Sequence, residues 1–156
     1  MFRSILAPID GSSTSLRGLD EAIELAKQMH AQVRALFVVD EYAISSYLAT
    51  YIDLNEILKT VDEDGRRVLQ DAKERADRKG VPLQTVLEHS GFAPVADIIL
   101  EQARAWPADL VVMGTHGRRG FRRLIMGSDA QTVVQSTPVP VLLIRAPEDA
   151  NQPPRI

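Results

Sequence analysis

Apolar runs alternate with helix-periodic stretches along this chain, and the runs are continuous rather than alternating in polarity. A strand that is apolar on both faces has to be covered on both, which is the situation of a parallel sheet with helices packed on each side. The first run, Ile5-Leu6-Ala7-Pro8-Ile9, leads to a helix pattern carried by Leu16, Leu19, Ile23, Ala26 and Met29. Asp10-Gly11-Ser12-Ser13-Thr14-Ser15 between them suits a tight turn ending in a helix N-cap, because short polar side chains accept the N–H groups of a first turn. Val33 to Val39 gives a second strand. Residues 40–52 follow as a connection containing Tyr42, Tyr47 and Tyr51, either a cover over a ligand or rings packed on the sheet edge.

From Asp53 to Lys79 a long helix is expected, with Leu54, Ile57, Leu58, Val61, Val68, Leu69, Ala72 and Ala76 at three-or-four spacing and Gly80 as its end. Asp62 with Arg66, Glu63 with Arg67 and Asp71 with Arg75 are its expected surface pairs. Leu83 to Glu88 is a third strand, and Pro94 opens a helix that buries Val95, Ile98, Ile99 and Trp106. Strand Leu110 to Met113, a glycine-containing connection, a helix from Ser128 to about Ser136 and strand Val139 to Ile144 complete the order. The class is α/β, with ligands expected beyond the carboxyl ends of the strands.

Composition removes several function classes. With 156 residues the chain suits one domain, and 45% hydrophobic with 25% charged residues is ordinary for a globular protein. No stretch approaches the ~18 apolar residues of a membrane span, and Met1-Phe2-Arg3-Ser4 leads straight into a strand, so a cytoplasmic location without membrane contact is expected. The absence of cysteine excludes disulfides, thiol catalysis and cysteine-held metals, and His30, His89 and His116 fall in different elements, which argues against a zinc site. A net charge of −3 and an aromatic content of 5% give no general attraction to nucleic acid, and no nucleic-acid partner is expected. The basic residues Arg118, Arg119, Arg122 and Arg123 make one local cluster.

That cluster lies in the connection after the fourth strand, where Gly114-Thr115-His116-Gly117 is followed nine residues later by Gly127-Ser128. Glycine admits close backbone approach and positive φ, so successive N–H groups can converge on one anion, and a helix N-terminus beside them adds about half a positive charge. No Gly-Lys-Ser/Thr occurs, so this is not a Walker A loop, and Gly114, Gly117 and Gly120 are spaced by three in the fourth βα unit, unlike the dinucleotide fingerprint of a first one. An anion would be held here mainly by backbone.

Gly-x2-Gly-x9-Gly-Ser after an apolar strand, together with Pro8-Ile9-Asp10 at the end of the first, resembles the nucleotide-binding branch of the universal stress protein family from about Ile5 to Arg145. The resemblance implies one open five-stranded parallel sheet in order 3-2-1-4-5 with helices on both faces, in a domain over residues 1–146; residues 147–156, with Pro147, Pro153 and Pro154 among polar residues, have little to bury and are expected to form a flexible tail. It implies ATP as ligand, with Mg²⁺ or Mn²⁺ as a candidate companion ion. By position Pro8, Asp10 and the backbone around Val38 and Val39 would lie at adenine, Met113 and Gly114 near adenine and ribose, and Gly117, Gly127 and Ser128 at the phosphates, with Arg118 as a phosphate partner. Asp129 stands where many ATP-binding members have an uncharged residue. A carboxylate one step from the phosphates repels them unless it turns away or binds a metal. The family also implies a homodimer through the last strand, 139–144, an apolar run suited to a sheet edge.

Plainer roles exist for the same residues. Ser128-Asp129-Ala130-Gln131 matches a capping box with Ser128 at the N-cap, Asp10 suits an Asx-turn, and the four arginines suit a solvated loop. His116 is given no catalytic role, because no nucleophile with a partnered base is identifiable. The functional expectation is an ATP-binding stress-response regulator acting on an unknown protein partner. The alternatives are a slow ATP hydrolase of the same fold and a nucleotide-free interaction module.

Overall fold

The computed structural model describes residues 1–48, 53–115 and 126–145. In chain order the elements are β1 (Ser4–Pro8), α1 (Ser13–Met29), β2 (Gln32–Val39), α2 (Glu41–Leu48), α3 (Leu54–Lys79), β3 (Leu83–His89), α4 (Val95–Ala105), β4 (Leu110–Gly114), α5 (Ser128–Ser136) and β5 (Val141–Ile144). The strands form one five-stranded parallel sheet in the order β3-β2-β1-β4-β5, as the resemblance implied. The strand order reverses at β1, which pairs with β2 on one side and β4 on the other.

Alternation along the strands sends side chains to two cores. Ile5 and Ala7 of β1 join Leu19 and Ile23 of α1 and Leu69 of α3 on one face, while Leu6 joins Ile99 of α4 and Val133 of α5 on the other. Ile5, Leu6, Leu19, Ile23, Leu36, Val111 and Val112 are fully buried. Burying such a side chain contributes about 1.5–3 kcal/mol, so the central strands anchor both layers. Asp109 locks their starts together: its carboxylate accepts from the N–H groups of Arg3 at 2.8 Å and Ser4 at 3.0 Å, and its own N–H donates to Ser4 O at 2.9 Å.

Helix α3 approaches β2 closely because Gly65 has no Cβ. One built there would stand 2.8 Å from Cδ1 of Phe37, a ring only 2% exposed. Gly80 ends α3 as expected, in the left-handed region at φ 69°, donating its N–H to Ala76 O and Asp77 O. Arg34 of β2 lies with its guanidinium 4.6 Å from the centre of the Trp106 ring and donates to Gln84 Oε1 and Gln102 Oε1; burial lowers its pKa from the ordinary guanidinium value.

Several sequence expectations are corrected. The stretch read as a plain connection begins with helix α2, capped by Asp40, whose Oδ1 accepts from Ala43 N at 3.0 Å. Of the three expected pairs on α3, Arg75 with Asp71 forms at 2.7 Å, but Arg67 pairs with Asp64, one residue nearer than Glu63, and Asp62 turns to His89. Both three- and four-residue spacings bring charges together on a helix, so sequence alone does not choose. The last strand starts at Val141 rather than Val139, since Pro140 has no N–H for the ladder and Val139 N is used by Thr137 Oγ1 at 3.3 Å.

Candidate functional site

The parallel register brings Pro8, Val39 and Gly114 to one edge of the sheet, at the carboxyl ends of β1, β2 and β4. There the chain diverges, β1 into α1 on one face and β4 toward α5 on the other, which opens a crevice at the reversal of strand order.

The β1 wall is built by short polar side chains. Asp10 Oδ1 accepts from Ser12 N at 2.9 Å, closing an Asx-turn around Gly11, whose φ of 82° a side chain would strain. Ser12 is the N-cap of α1, its Oγ accepting from Ser15 N at 3.2 Å. Ser15 Oγ in turn donates to Ser12 O at 3.0 Å and accepts from Asp10 N at 3.2 Å. The Asx-turn reading of Asp10 is thus realised.

The β4 wall is glycine. A Cβ on Gly114 would meet Thr14 Cγ2 at 2.9 Å, Thr14 C at 3.0 Å and Ser15 N at 3.1 Å, so the first turn of α1 rests on the end of β4. Gly18 completes the seat one turn on, where a Cβ would lie 3.4 Å from Gly114 N. Thr115 N donates to Ile144 O at 2.9 Å, and Gly127 N donates to Thr115 O at 2.8 Å. That second bond closes the base of the connection and sets the start of α5 beside the end of β4. Gly114, Gly127, Ser128 and Asp129 are therefore brought together, while Gly117 and Arg118 lie outside the described residues, as does the tail expected over 147–156 except by its position in the sequence.

The capping-box expectation for Ser128 is corrected. Gly127 is the N-cap, at φ −59° and ψ 151°, with no side-chain cap, and Ser128 is the first helical residue. Gly127 O accepts from Gln131 N at 2.9 Å, so the first-turn amides of α5 have no acceptor within the helix. The serine hydroxyl is left on an exposed position at the mouth of the crevice. Asp129 occupies the next position, where a carboxylate suits the positive end of a helix.

On β2, Val38 is half-buried toward α4 and Val39 is buried toward α1 and α3. Val39 O accepts from Ser90 N at 2.9 Å. Met113 is 6% exposed and belongs to the α4 and α5 side of the core. Tyr42 of α2 is 61% exposed and so is not buried against the sheet edge, while the side chain of Tyr47 and the whole of Tyr51 lie outside the described residues.

A second concavity, an open groove of about 320 Å³ between α1 and α3, is a poor candidate. Its charges answer one another, Arg75 with Asp20 at 3.0 Å and Lys79 with Glu24. A hydrogen bond from Arg75 to Asp71 raises the Arg75 pKa, partial burial opposes it, and Asp20 adds to the rise. Among the described residues no group of three or more histidine, aspartate or glutamate side chains is placed to hold a metal, and no helix is long and apolar enough to cross a membrane.

Fold and crevice together define an open, doubly wound α/β protein with a glycine-lined connection at its point of strand reversal. The chain belongs to the universal stress protein family, which matches residues 1–145. A universal stress protein of Methanocaldococcus jannaschii is 33% identical over 153 residues, covering 95% of this chain and 85% of the relative. A solved universal stress family protein of Burkholderia pseudomallei is 34% identical with a TM-score of 0.77, covering 93% of this chain and 97% of that one. Two more distant structures share the fold: a universal stress protein in complex with cAMP (22% identity, TM-score 0.67) and one from Archaeoglobus fulgidus in complex with dAMP (20%, 0.63), each matched over 92% of this chain.

Proposed function

We propose that this protein binds an adenine nucleotide, ATP in the first instance, in the crevice at the carboxyl ends of β1, β2 and β4, and that the bound nucleotide regulates a stress-response partner. The observation that carries the reading is the bond from Gly127 N to Thr115 O, which sets the first turn of α5 next to the glycine end of β4. Backbone N–H groups so placed suit a phosphate, and the helix dipole favours its charge. Relatives of the same fold in complex with cAMP and dAMP support the adenine part.

In this reading Pro8, Asp10, Val38 and Val39 line the base, Met113 and Gly114 lie under base and ribose, and Gly117, Gly127 and Ser128 hold phosphates with Arg118 outermost. Asp129 is the residue that would limit phosphate number or recruit Mg²⁺ or Mn²⁺ through the phosphates. The protein acts in the cytoplasm as a homodimer joined along β5, whose place at the sheet edge leaves Leu142 37% exposed. Mass spectrometry of small molecules released from gently purified protein tests the reading: an adenine nucleotide near stoichiometry supports it, and a ligand of another class rejects it.

A further inference from the structure

Beside the crevice, titratable side chains from three elements meet. His89, at the end of β3, places Nδ1 2.8 Å from Glu41 Oε1 at the start of α2 and Nε2 3.2 Å from Asp62 Oδ1 in α3. The two ring nitrogens face different carboxylates, so this is a bridge through the ring and not a set of ligands around one cation. Asp62 Oδ1 is buried and has no hydrogen-bond partner, so its 3.2 Å approach to His89 Nε2 is an ion-pair contact and not an aligned hydrogen bond. A neutral imidazole carries one N–H, so whichever carboxylate it serves, the other faces a lone pair. The doubly protonated ring presents an N–H and a share of positive charge to both.

In register with His89, β2 presents Val39, and the loop after β3 brings the uncharged Ser90 and Gly91. Glu88 is engaged elsewhere, accepting from Gln102 Nε2 at 2.9 Å. Lys59 and Arg66 lie about a turn to either side of Asp62 along α3. The first turn of α2 already has two ties from backbone N–H groups, Ala43 N to Asp40 Oδ1 at 3.0 Å and Glu41 N to Ser90 Oγ at 3.1 Å. The histidine bridge is a third, and the one that depends on the charge of an imidazole.

We propose that His89 is a proton-dependent clasp that draws the start of α2 against α3. Because α2 leaves β2 at Val38–Asp40, the clasp sets the wall on the adenine side and links nucleotide affinity to the charge on the ring. This link rests on the nucleotide reading; the clasp does not. The sign follows from the charges: α2 is held while the ring is cationic between the two carboxylates and loosened when it is neutral.

Hydrogen exchange of the Ala43 and Ile44 amides, in nucleotide-free protein and corrected for intrinsic rates, separates these claims. Between about pH 5.5 and about pH 8, a range in which imidazole changes charge, wild-type protection should fall. The expected fall is about two- to fivefold, in keeping with a partly exposed ion pair. His89→Gln keeps a donor but does not titrate, and should show no such change; Asp62→Asn, which removes one side of the bridge, should flatten it too. The same pH dependence in wild type and both variants, or none in wild type, overturns the clasp. Calorimetry with ATP at the two pH values reads the link. Affinity that falls by the same factor in wild type alone supports it, and affinity independent of pH while α2 protection changes overturns it. No binding at either pH rejects the nucleotide reading and leaves the exchange result to decide the clasp.

Discussion

Gly114 and Thr14 are 100 positions apart in sequence and in contact in space: a Cβ on the glycine would stand 2.9 Å from the threonine Cγ2 and 3.0 Å from its backbone carbonyl carbon. The side-chain atom could move, but the backbone carbon cannot without shifting the capped first turn of α1. Gly114→Ala should therefore destabilise the protein by about 1–3 kcal/mol, the usual range for overpacking. Denaturant unfolding measures this, and Thr14→Ser in the same chain should restore only part of the loss.

Gly65 poses the opposite balance. Alanine within a helix gains about 1 kcal/mol over glycine, but here its Cβ would press on the buried ring of Phe37 at 2.8 Å. We expect Gly65→Ala alone to destabilise by about 1 kcal/mol net, overpacking outweighing propensity. In a Phe37→Leu background the same substitution should become neutral or stabilising, a sign change that a double-mutant cycle reads directly.

Asp10 has a turn to hold as well as a proposed ligand to touch, and two variants separate the roles. Asparagine retains an acceptor for Ser12 N, whereas alanine removes it. Asp10→Ala should lower stability by about 1 kcal/mol, as loss of a helix-start hydrogen bond does, and Asp10→Asn should leave the unfolding midpoint close to wild type. Nucleotide affinity that falls in Asp10→Asn at unchanged stability assigns the carboxylate to the ligand; unchanged affinity limits Asp10 to the turn.

The alternation of strands with the longer helices was legible in the sequence because each strand is a continuous apolar run, and an N-cap somewhere in Asp10 to Ser15 was legible because short polar residues stand before an amphipathic pattern. Helix α2 was not. Its eight residues carry no long period, and its clearest signal, Asp40 ahead of Ala43, is a cap motif common in turns as well. The start of α5 was misplaced by one residue for a related reason: Gly127 and Ser128 are both acceptable N-caps, and only the backbone tells which one is extended. The bonds of Asp109 to Arg3 and Ser4, the seat of α1 on Gly114 and the bridging of His89 all join residues remote in sequence, and no local pattern encodes them. At the candidate site, Gly114 at the end of β4 and Gly127 ahead of α5 were legible as the bounds of a connection, while the contact of Gly114 with α1 required the fold.

Leu142, on edge strand β5, tests the proposed assembly. A charge on an edge strand blocks pairing with another chain, so Leu142→Asp should convert a dimer to a monomer in light scattering at micromolar concentration, with helix content unchanged. A wild-type monomer under those conditions would contradict the assembly, as would a variant that remains dimeric.

The central claim is that main-chain amides between β4 and α5 hold a nucleotide phosphate, and the most direct measurement is calorimetric titration of wild type and Gly117→Val with ATP, ADP and AMP. The account predicts saturable binding by wild type and a loss of at least about tenfold, or about 1.4 kcal/mol, in the valine variant, with circular dichroism and unfolding midpoint unchanged. Binding of equal strength in both proteins, or none in nucleotide-stripped wild type, would contradict it.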